Sequence, residues 1–251
     1  VFPDLVRTLS AEIRRDSSPS DILNLQKMKE ISLSNKKLPY GINLFDVFWV
    51  KQEIIPIYNM RVSRDEELVA YILMYMILGR SVNPSAKNLD AFYKLNLDEV
   101  DEDHLSTKIE NEATKIGEEN IKKRFRKVFS EIEKTLSNSQ KNLRVILFGE
   151  DPIGLVRSFQ VLFLSFYELI ISKNKKIKNY SSLLNALNGL GSRNLKNIDT
   201  KEWNGKIRDE KIRMIASVIE EHFEDNEKID DPAFDNWIIQ FENLLNQSKL
   251  E

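Results

Sequence analysis

Two clusters of carboxylates are the groups in this 251-residue sequence best suited to chemistry. Paired carboxylates can bind Mg²⁺ or serve as general acid and general base. The first cluster, at 65–67, follows Ser63 at a predicted helix start, where acidic residues also favour the helix dipole. The second, at 101–103, lies in an acidic stretch. Neither has a third ligand beside it, so we predict no catalytic residue and no metal site.

Other catalytic chemistries have little support in the composition. The chain has no cysteine and two histidines, His104 and His222, which excludes disulfides, thiolate catalysis and cysteine-bound zinc. No phosphate-binding loop, dinucleotide fingerprint or zinc-protease motif is present. Gly189 and Gly191 follow a predicted helix, where glycine favours a helix end over a phosphate loop. We therefore predict no cofactor.

Basic residues give the sequence its candidate nucleic-acid contacts. Residues 173–213 hold eleven Lys/Arg against four acids, whereas 220–235 hold eight acids and one lysine. Lysines without neighbouring acids suit the backbone of DNA, although a flexible surface linker explains the segment 173–178 equally well. The candidate nucleic-acid-binding residues are Lys36, Lys37, Arg61, Arg64, Lys173, Lys175, Lys176 and Lys178.

The elements that must position these residues are helices. Only 8 glycines and 7 prolines occur, and apolar residues recur at helical spacing, as in the stripe Ile121, Phe125, Val128, Phe129, Ile132 and Leu136. We predict an all-α bundle of about nine or ten helices, with one small hairpin or ordered loop at 31–42. Residues 1–95 and 106–250 are the predicted N-terminal and C-terminal helical subdomains, with one continuous domain as the alternative.

The most apolar stretches favour a buried core over a membrane. Residues 68–78 are too short to span a bilayer, and 153–171 contain Arg157, Gln160 and Glu168. Both stretches are predicted to be core helices. We expect a cytoplasmic protein without membrane association.

Several segments together resemble a known family. They are PDLVRTLSAEIRRDSSP (3–19), SNKKLPYGI (34–42), DVFWVKQ (46–52), SRDEELVAYILMYMILG (63–79) and LDAFY (89–93). This combination resembles the helical region of the GmrSD-type restriction proteins, a family of unknown-function domains with an Asp-Gly-Gln-Gln-Arg motif on a ParB-like fold. The resemblance covers about residues 1–170, and Arg61, Arg64, Asp65 and Glu66 are matched positions.

The resemblance implies a function in phage defence that this chain serves without the family's catalytic motif. None of the six glutamines is next to another and no Asp-Gly pair occurs. The chain is then the helical part of a parent that is a nucleotide-dependent nuclease, and it contributes DNA contact or subunit coupling. Its expected partners are DNA and the parent's N-terminal ParB-like portion, or another protein subunit.

Two other functions remain open at this stage. The first is a protein-interaction or oligomerisation module unrelated to nucleic acid, for which Trp49, Trp203 and Trp237 are the predicted exposed aromatic residues. The second is a stand-alone hydrolase that uses the carboxylates, which requires acids from different helices to converge.

Overall fold

The computed structural model describes residues 1–14, 44–60, 63–79, 85, 87, 89, 105–151, 154–196, 198 and 203–226. The structure is 77% helical with only a two-stranded sheet besides, which confirms the predicted all-α class. The predicted hairpin or ordered loop at 31–42 and residues 96–104, between the two predicted subdomains, lie outside the described residues. The α-helices are α1 (Phe2–Arg14), α2 (Phe48–Lys51), α3 (Ile57–Met60), α4 (Arg64–Leu78), α5 (Leu105–Ile116), α6 (Glu118–Ser137), α7 (Leu143–Phe148), α8 (Val156–Tyr167), α9 (Tyr180–Leu187), α10 (Leu190–Asn194) and α11 (Gly205–Ile219).

Short irregular elements complete the described part. A π-helix, Glu168–Ser172, extends α8, and 3₁₀ turns occupy Leu44–Asp46 and Glu220–His222. Strand β1 (Lys175–Ile177) pairs antiparallel with β2 (Phe223–Asp225), placing Ile177 opposite Phe223. The sequence pattern predicts a helix up to about residue 223. Helix α11 ends at Ile219, because the 3₁₀ turn Glu220–His222 follows it and Phe223–Asp225 then pair with β1.

Helix α8 is the centre of the core. All its residues from Ser158 to Tyr167 are buried, and it packs against α4, α6 and α11. A helix that is apolar on every face is stable only when neighbours surround it. The prediction that the stretches 68–78 and 153–171 are buried helices is therefore confirmed for the residues described.

Helix boundaries follow the sequence signals, with one exception in detail. The sequence across 106–137 predicts either one long helix or a helix pair broken at Gly117, and Gly117, with φ of +87°, does separate α5 from α6. Helix α4 begins after Ser63, also as predicted, but the Ser63 side chain makes no capping hydrogen bond. The sequence Ser63-Arg64-Asp65-Glu66 predicts a capping box, in which the serine side chain accepts a hydrogen bond from the first turn. Ser63 instead adopts a left-handed conformation (φ 56°), so this capping box does not form.

Trp49 is a core residue, contrary to the prediction that it is exposed. Its accessible fraction is 0%, and its ring meets Phe48, Phe129 and Phe159 at centroid distances of 5.2–6.0 Å. Leu44, Val47, Phe48, Ile54 and Ile55 are spaced for one helix, and that prediction is also wrong, since only Phe48–Lys51 is α-helical in this stretch. The chain turns after α2, and the amides of Ile54 and Ile55 both donate to the carbonyl oxygen of Trp49.

Glycines 189 and 191 allow a tight helix-to-helix connection. Gly189, with φ of +71°, lies between the end of α9 and the start of α10, consistent with the predicted helix end. A Cβ atom on Gly191 would lie 2.6 Å from the Phe148 ring. Glycine at this position therefore lets α10 approach α7 closely.

Candidate functional site

The predicted nucleic-acid-binding residues do not form one surface within the described residues. Lys36, Lys37 and Arg61 lie outside the described residues. Arg64 is in the first turn of α4, where its guanidinium bonds to Glu67. The four lysines of the segment 173–178 flank and form β1 at another place in the fold.

These four lysines, called here the lysine segment, all contact the chain at 220–225. The sequence gives the lysine segment no acidic neighbours, but β1–β2 pairing brings a distant acidic run beside it. The contacts are Lys173 Nζ to Glu220 Oε2 (2.9 Å), Lys175 Nζ to Glu220 Oε1 (3.1 Å) and Asp225 Oδ1 (3.7 Å), Lys176 Nζ to Glu224 Oε1 (3.3 Å), and Lys178 Nζ to the Glu221 carbonyl oxygen (2.9 Å).

The electrostatic result is a two-stranded sheet in which the four lysine charges are largely neutralised. Hydrogen bonding from Lys173, assisted by Lys175, lowers the pKa of Glu220 and keeps its carboxylate charged. A polyanion would have to displace these carboxylates before it could use the lysines. The free energy of phosphate contact is correspondingly reduced, because the lysines already have counter-charges in place.

A separate cleft brings together residues from three helices and from the chain before α11. Its volume is about 290 Å³. We call it the Trp203 cleft. Its lining residues are Ile55, Asn59, Arg64, Glu67, Leu68, Tyr71, Val156, Arg157, Gln160 and Trp203.

An arginine is held against an indole in this cleft. The guanidinium carbon of Arg157 lies 5.5 Å from the Trp203 ring centroid, and Arg157 Nη1 donates to the Ile198 carbonyl oxygen at 3.0 Å. Cation–π attraction and the hydrogen bond together restrict the guanidinium orientation. A fixed guanidinium loses less conformational entropy when it binds a carboxylate or a carbonyl oxygen.

The cleft also has a charged rim and apolar walls. Arg64 is 54% exposed at its side chain and is paired with Glu67, whose hydrogen bond raises the pKa of Arg64. The side chains of Ile55 and Leu68 are buried and form an apolar wall of the cleft. Among the residues that the structure describes, the lining includes two arginines and one glutamate.

Gln160 contributes a buried polar group to the base of the cleft. The residue is 3% exposed, and its amide nitrogen has no hydrogen-bond partner among the residues that the structure describes. A buried amide donor without a partner costs roughly 1–3 kcal/mol.

Replacing Gln160 with leucine is expected to raise the free energy of unfolding by about 1 kcal/mol, because the unpaired amide is removed. The matched control is Gln52→Leu. Gln52 is also buried, but its Oε1 accepts from the Leu143 amide at 2.8 Å, so this change should destabilise the fold by about 1–3 kcal/mol. Urea unfolding of both variants measures the two changes in the free energy of unfolding. Equal destabilisation by both changes would contradict the conclusion that the Gln160 amide costs stability.

The carboxylates at 65–67 are engaged by arginines. Arg14 binds Asp65 through Nε at 2.5 Å and Nη2 at 2.8 Å, and it reaches Glu66 Oε1 at 3.1 Å. Asp65 is fully buried, so this pair joins the end of α1 to the start of α4. Across the described ranges, no group of three His, Asp or Glu side chains is arranged to hold a metal ion.

A second buried polar network surrounds the π-helix. Tyr75 Oη donates to Glu168 Oε1 at 2.6 Å, and the fully buried Arg208 lies 4.8 Å from the Tyr75 ring centroid and bonds Asp209. Burial raises the pKa of the adjacent Tyr167 to about 12. Because its members are enclosed, this network ties α4, α8 and α11 together.

A serine and a histidine that are distant in sequence also meet. Ser182 Oγ lies 2.9 Å from His222 Nδ1, and Glu221 Oε1 lies 3.4 Å from His222 Nε2. The residue types are those of a hydrolase triad. However, Ser182 is exposed and the Glu221 side chain is 79% exposed, so the group does not have the enclosed setting that stabilises an oxyanion. His104 lies outside the described residues.

A comparison with protein-family models, with curated proteins and with solved structures found no match to this chain. Among the described helices, none is both long enough and apolar enough to cross a membrane. The sites above therefore rest on the geometry of this chain.

Proposed function

We propose that the chain is a non-catalytic helical domain of a cytoplasmic restriction or phage-defence protein. Its role is to couple subunits, by binding the parent's N-terminal ParB-like portion or another subunit that carries the nuclease or nucleotide-hydrolysing activity. The family resemblance of segments such as 46–52 and 63–79 supports the restriction context. The alternative is a protein-interaction module unrelated to nucleic acid, which would also use an exposed protein-binding surface.

The observation that carries the coupling role is the surface around the Trp203 cleft. Tyr58, next to the lining residue Asn59, is 66% exposed, and the lining residue Val156 is 38% exposed. Trp203 is half-buried beside Arg157. Tryptophan, tyrosine and arginine are the residue types most enriched at binding hot spots. Their concentration around one cleft favours a protein-binding surface.

DNA contact receives less support than coupling. The lysine segment is bonded to residues 220–225, and Arg64 is bonded to Glu67. Lys36, Lys37 and Arg61 remain candidate DNA contacts outside the described residues. We therefore rank subunit coupling above DNA contact.

The test is a binding experiment between this chain and the polypeptide encoded by the rest of its parent reading frame. Light scattering of the mixture is expected to show a complex, and Val156→Asp should weaken that complex by at least about tenfold, since a charge would enter an apolar contact. Val218→Asp is the matched control, because Val218 is 41% exposed on α11 and does not line the cleft.

Two results would contradict the coupling role. One is a chain that stays monomeric in the mixture. The other is binding to a short DNA duplex at about 50 mM salt that disappears in a Lys175→Gln, Lys176→Gln double variant, because such binding would assign the function to DNA contact.

A further inference from the structure

We propose that Lys123 and Lys127, called here the α6 lysine pair, form a binding site for a phosphate group. The site is independent of the proposed coupling function and of the Trp203 cleft. A phosphate group of this kind comes either from the backbone of a nucleic acid or from free inorganic phosphate, and one set of titrations separates the two sources.

The basic run of α6 divides into residues that have acidic partners and residues that do not. Residues 122–127 read KKRFRK, with basic residues at five of the six positions. Lys122 and Arg126 are bonded to glutamates at 2.5–3.0 Å, and Arg124 is buried. In the described part of the chain, neither lysine of the α6 lysine pair has a carboxylate oxygen within 4.0 Å of its Nζ atom.

The acidic residue one turn after Lys127 on the same face, Glu131, is already engaged by other groups. Its Oε2 accepts from Tyr180 Oη at 2.6 Å, and its Oε1 accepts from Lys134 Nζ at 2.7 Å. Tyr180 begins α9, which packs against α6, and no acidic residue occurs from 169 to 198. Helix α9 therefore adds no carboxylate to this side of α6.

The spacing of the α6 lysine pair suits one anion with several oxygens. Residues four apart share a helix face about 6 Å apart along the axis, where like charges repel each other. Lys123 is exposed and Lys127 is half-buried. The pKa of Lys127 lies below its usual value, because burial and the charge of Lys123 together outweigh the attraction of Glu131. A phosphate group would supply the missing counter-charge and accept hydrogen bonds from both ammonium groups.

The first measurement is NMR of the full chain labelled with ¹³C at lysine Cε. The probes are inorganic phosphate and, at the same ionic strength, acetate. The single variants Lys123→Gln and Lys127→Gln assign the two signals, and Lys206→Gln assigns that of an exposed lysine on α11. We expect phosphate to shift both signals of the α6 lysine pair more than the Lys206 signal, and more than acetate does.

The second measurement is fluorescence anisotropy of a short labelled DNA duplex between about 50 and 200 mM salt. The double variant Lys123→Gln, Lys127→Gln should weaken binding about tenfold and lower the salt slope by about 2, since each lysine on a phosphate contributes about 1. The matched control is Lys175→Gln, Lys176→Gln, which removes the same charge from lysines bonded to acids and should leave the slope unchanged. Urea unfolding should show that the first double variant is at least as stable as the original protein, because it removes a repulsion between like charges.

The outcomes distinguish the source of the phosphate and the failure of the site. A change in the salt slope without a response to inorganic phosphate assigns the α6 lysine pair to a nucleic-acid backbone, and a response to phosphate without duplex binding assigns it to free phosphate. The absence of both responses overturns the site, as does duplex binding that both double variants weaken equally. Equal shifts with acetate and phosphate overturn the preference for phosphate. None of these results changes the light-scattering test of coupling, so the two proposals fail separately.

Discussion

Asp65→Asn is expected to lower the free energy of unfolding by about 3 kcal/mol or more, although the change replaces one oxygen by a nitrogen. Asp65 is 0% exposed and accepts two hydrogen bonds from Arg14, which is itself 6% exposed. Burial lowers the pKa of Arg14, but the bonds and charges of Asp65 and Glu66 more than offset this and leave it raised. The variant therefore leaves a buried cation whose main counter-ion is gone.

Two controls separate this effect from a general loss of an ion pair. Glu12 makes a similar two-bond contact with Arg126, at 2.9 and 2.6 Å, but both side chains are exposed, so Glu12→Gln should cost less than about 1 kcal/mol. The double variant Arg14→Met, Asp65→Leu should be close to the original protein in stability, because it removes both charges. Urea unfolding measures all three, and a small effect of Asp65→Asn would show that Glu66 alone holds Arg14.

Trp49→Ala is expected to lower the free energy of unfolding by about 3–5 kcal/mol, because it empties the centre of an aromatic cluster. Trp49 contacts rings from α2, α6 and α8, and its indole nitrogen is buried with no hydrogen-bond partner in the described part of the chain. Trp49→Phe should therefore cost much less than Trp49→Ala, because it keeps much of the ring volume and removes an unpaired polar atom.

Trp203→Ala is the matched control for Trp49→Ala. Trp203 is half-buried at the cleft, so its removal should cost only about 1–2 kcal/mol of stability. The proposed partner binding should instead be strongly weakened. Thermal unfolding and the light-scattering assay together measure the two effects, and comparable losses of stability for both tryptophans would contradict the distinction between core and surface.

The segments 46–52 and 63–79, which resemble the restriction-protein family, contribute residues both to the core and to the Trp203 cleft. Trp49 from 46–52 and Asp65 from 63–79 are both buried and hold α1, α2, α4 and α8 together. Arg64 and Glu67, from the same segment 63–79, face the Trp203 cleft instead. Helix α4 thus presents one side to the core and another side, which includes Tyr71, to the Trp203 cleft.

Local sequence determined the helices of this protein. Low glycine and proline content, regular apolar spacing and Gly117 predicted α4, the α5–α6 break and the stripe of α6, because these depend on neighbours three or four residues apart. The all-α class follows from the same short-range pattern. The shortest elements, such as α3 and α7, were not predicted, because four to six residues hold too little periodicity to separate a helix from a turn.

Only the tertiary structure decided which side chains are partners. The local sequence around Trp49 does not show whether its side chain is buried or exposed. Trp49 is a core residue because α6 and α8 place aromatic rings around it. The lysine segment acquires its counter-charges from residues more than 40 positions away, through β1–β2 pairing. The Trp203 cleft likewise joins residues from 55 to 203. Sequence periodicity reports the face of a helix, whereas charge pairing and clefts depend on which helices meet, and that is set by the packing of the whole core.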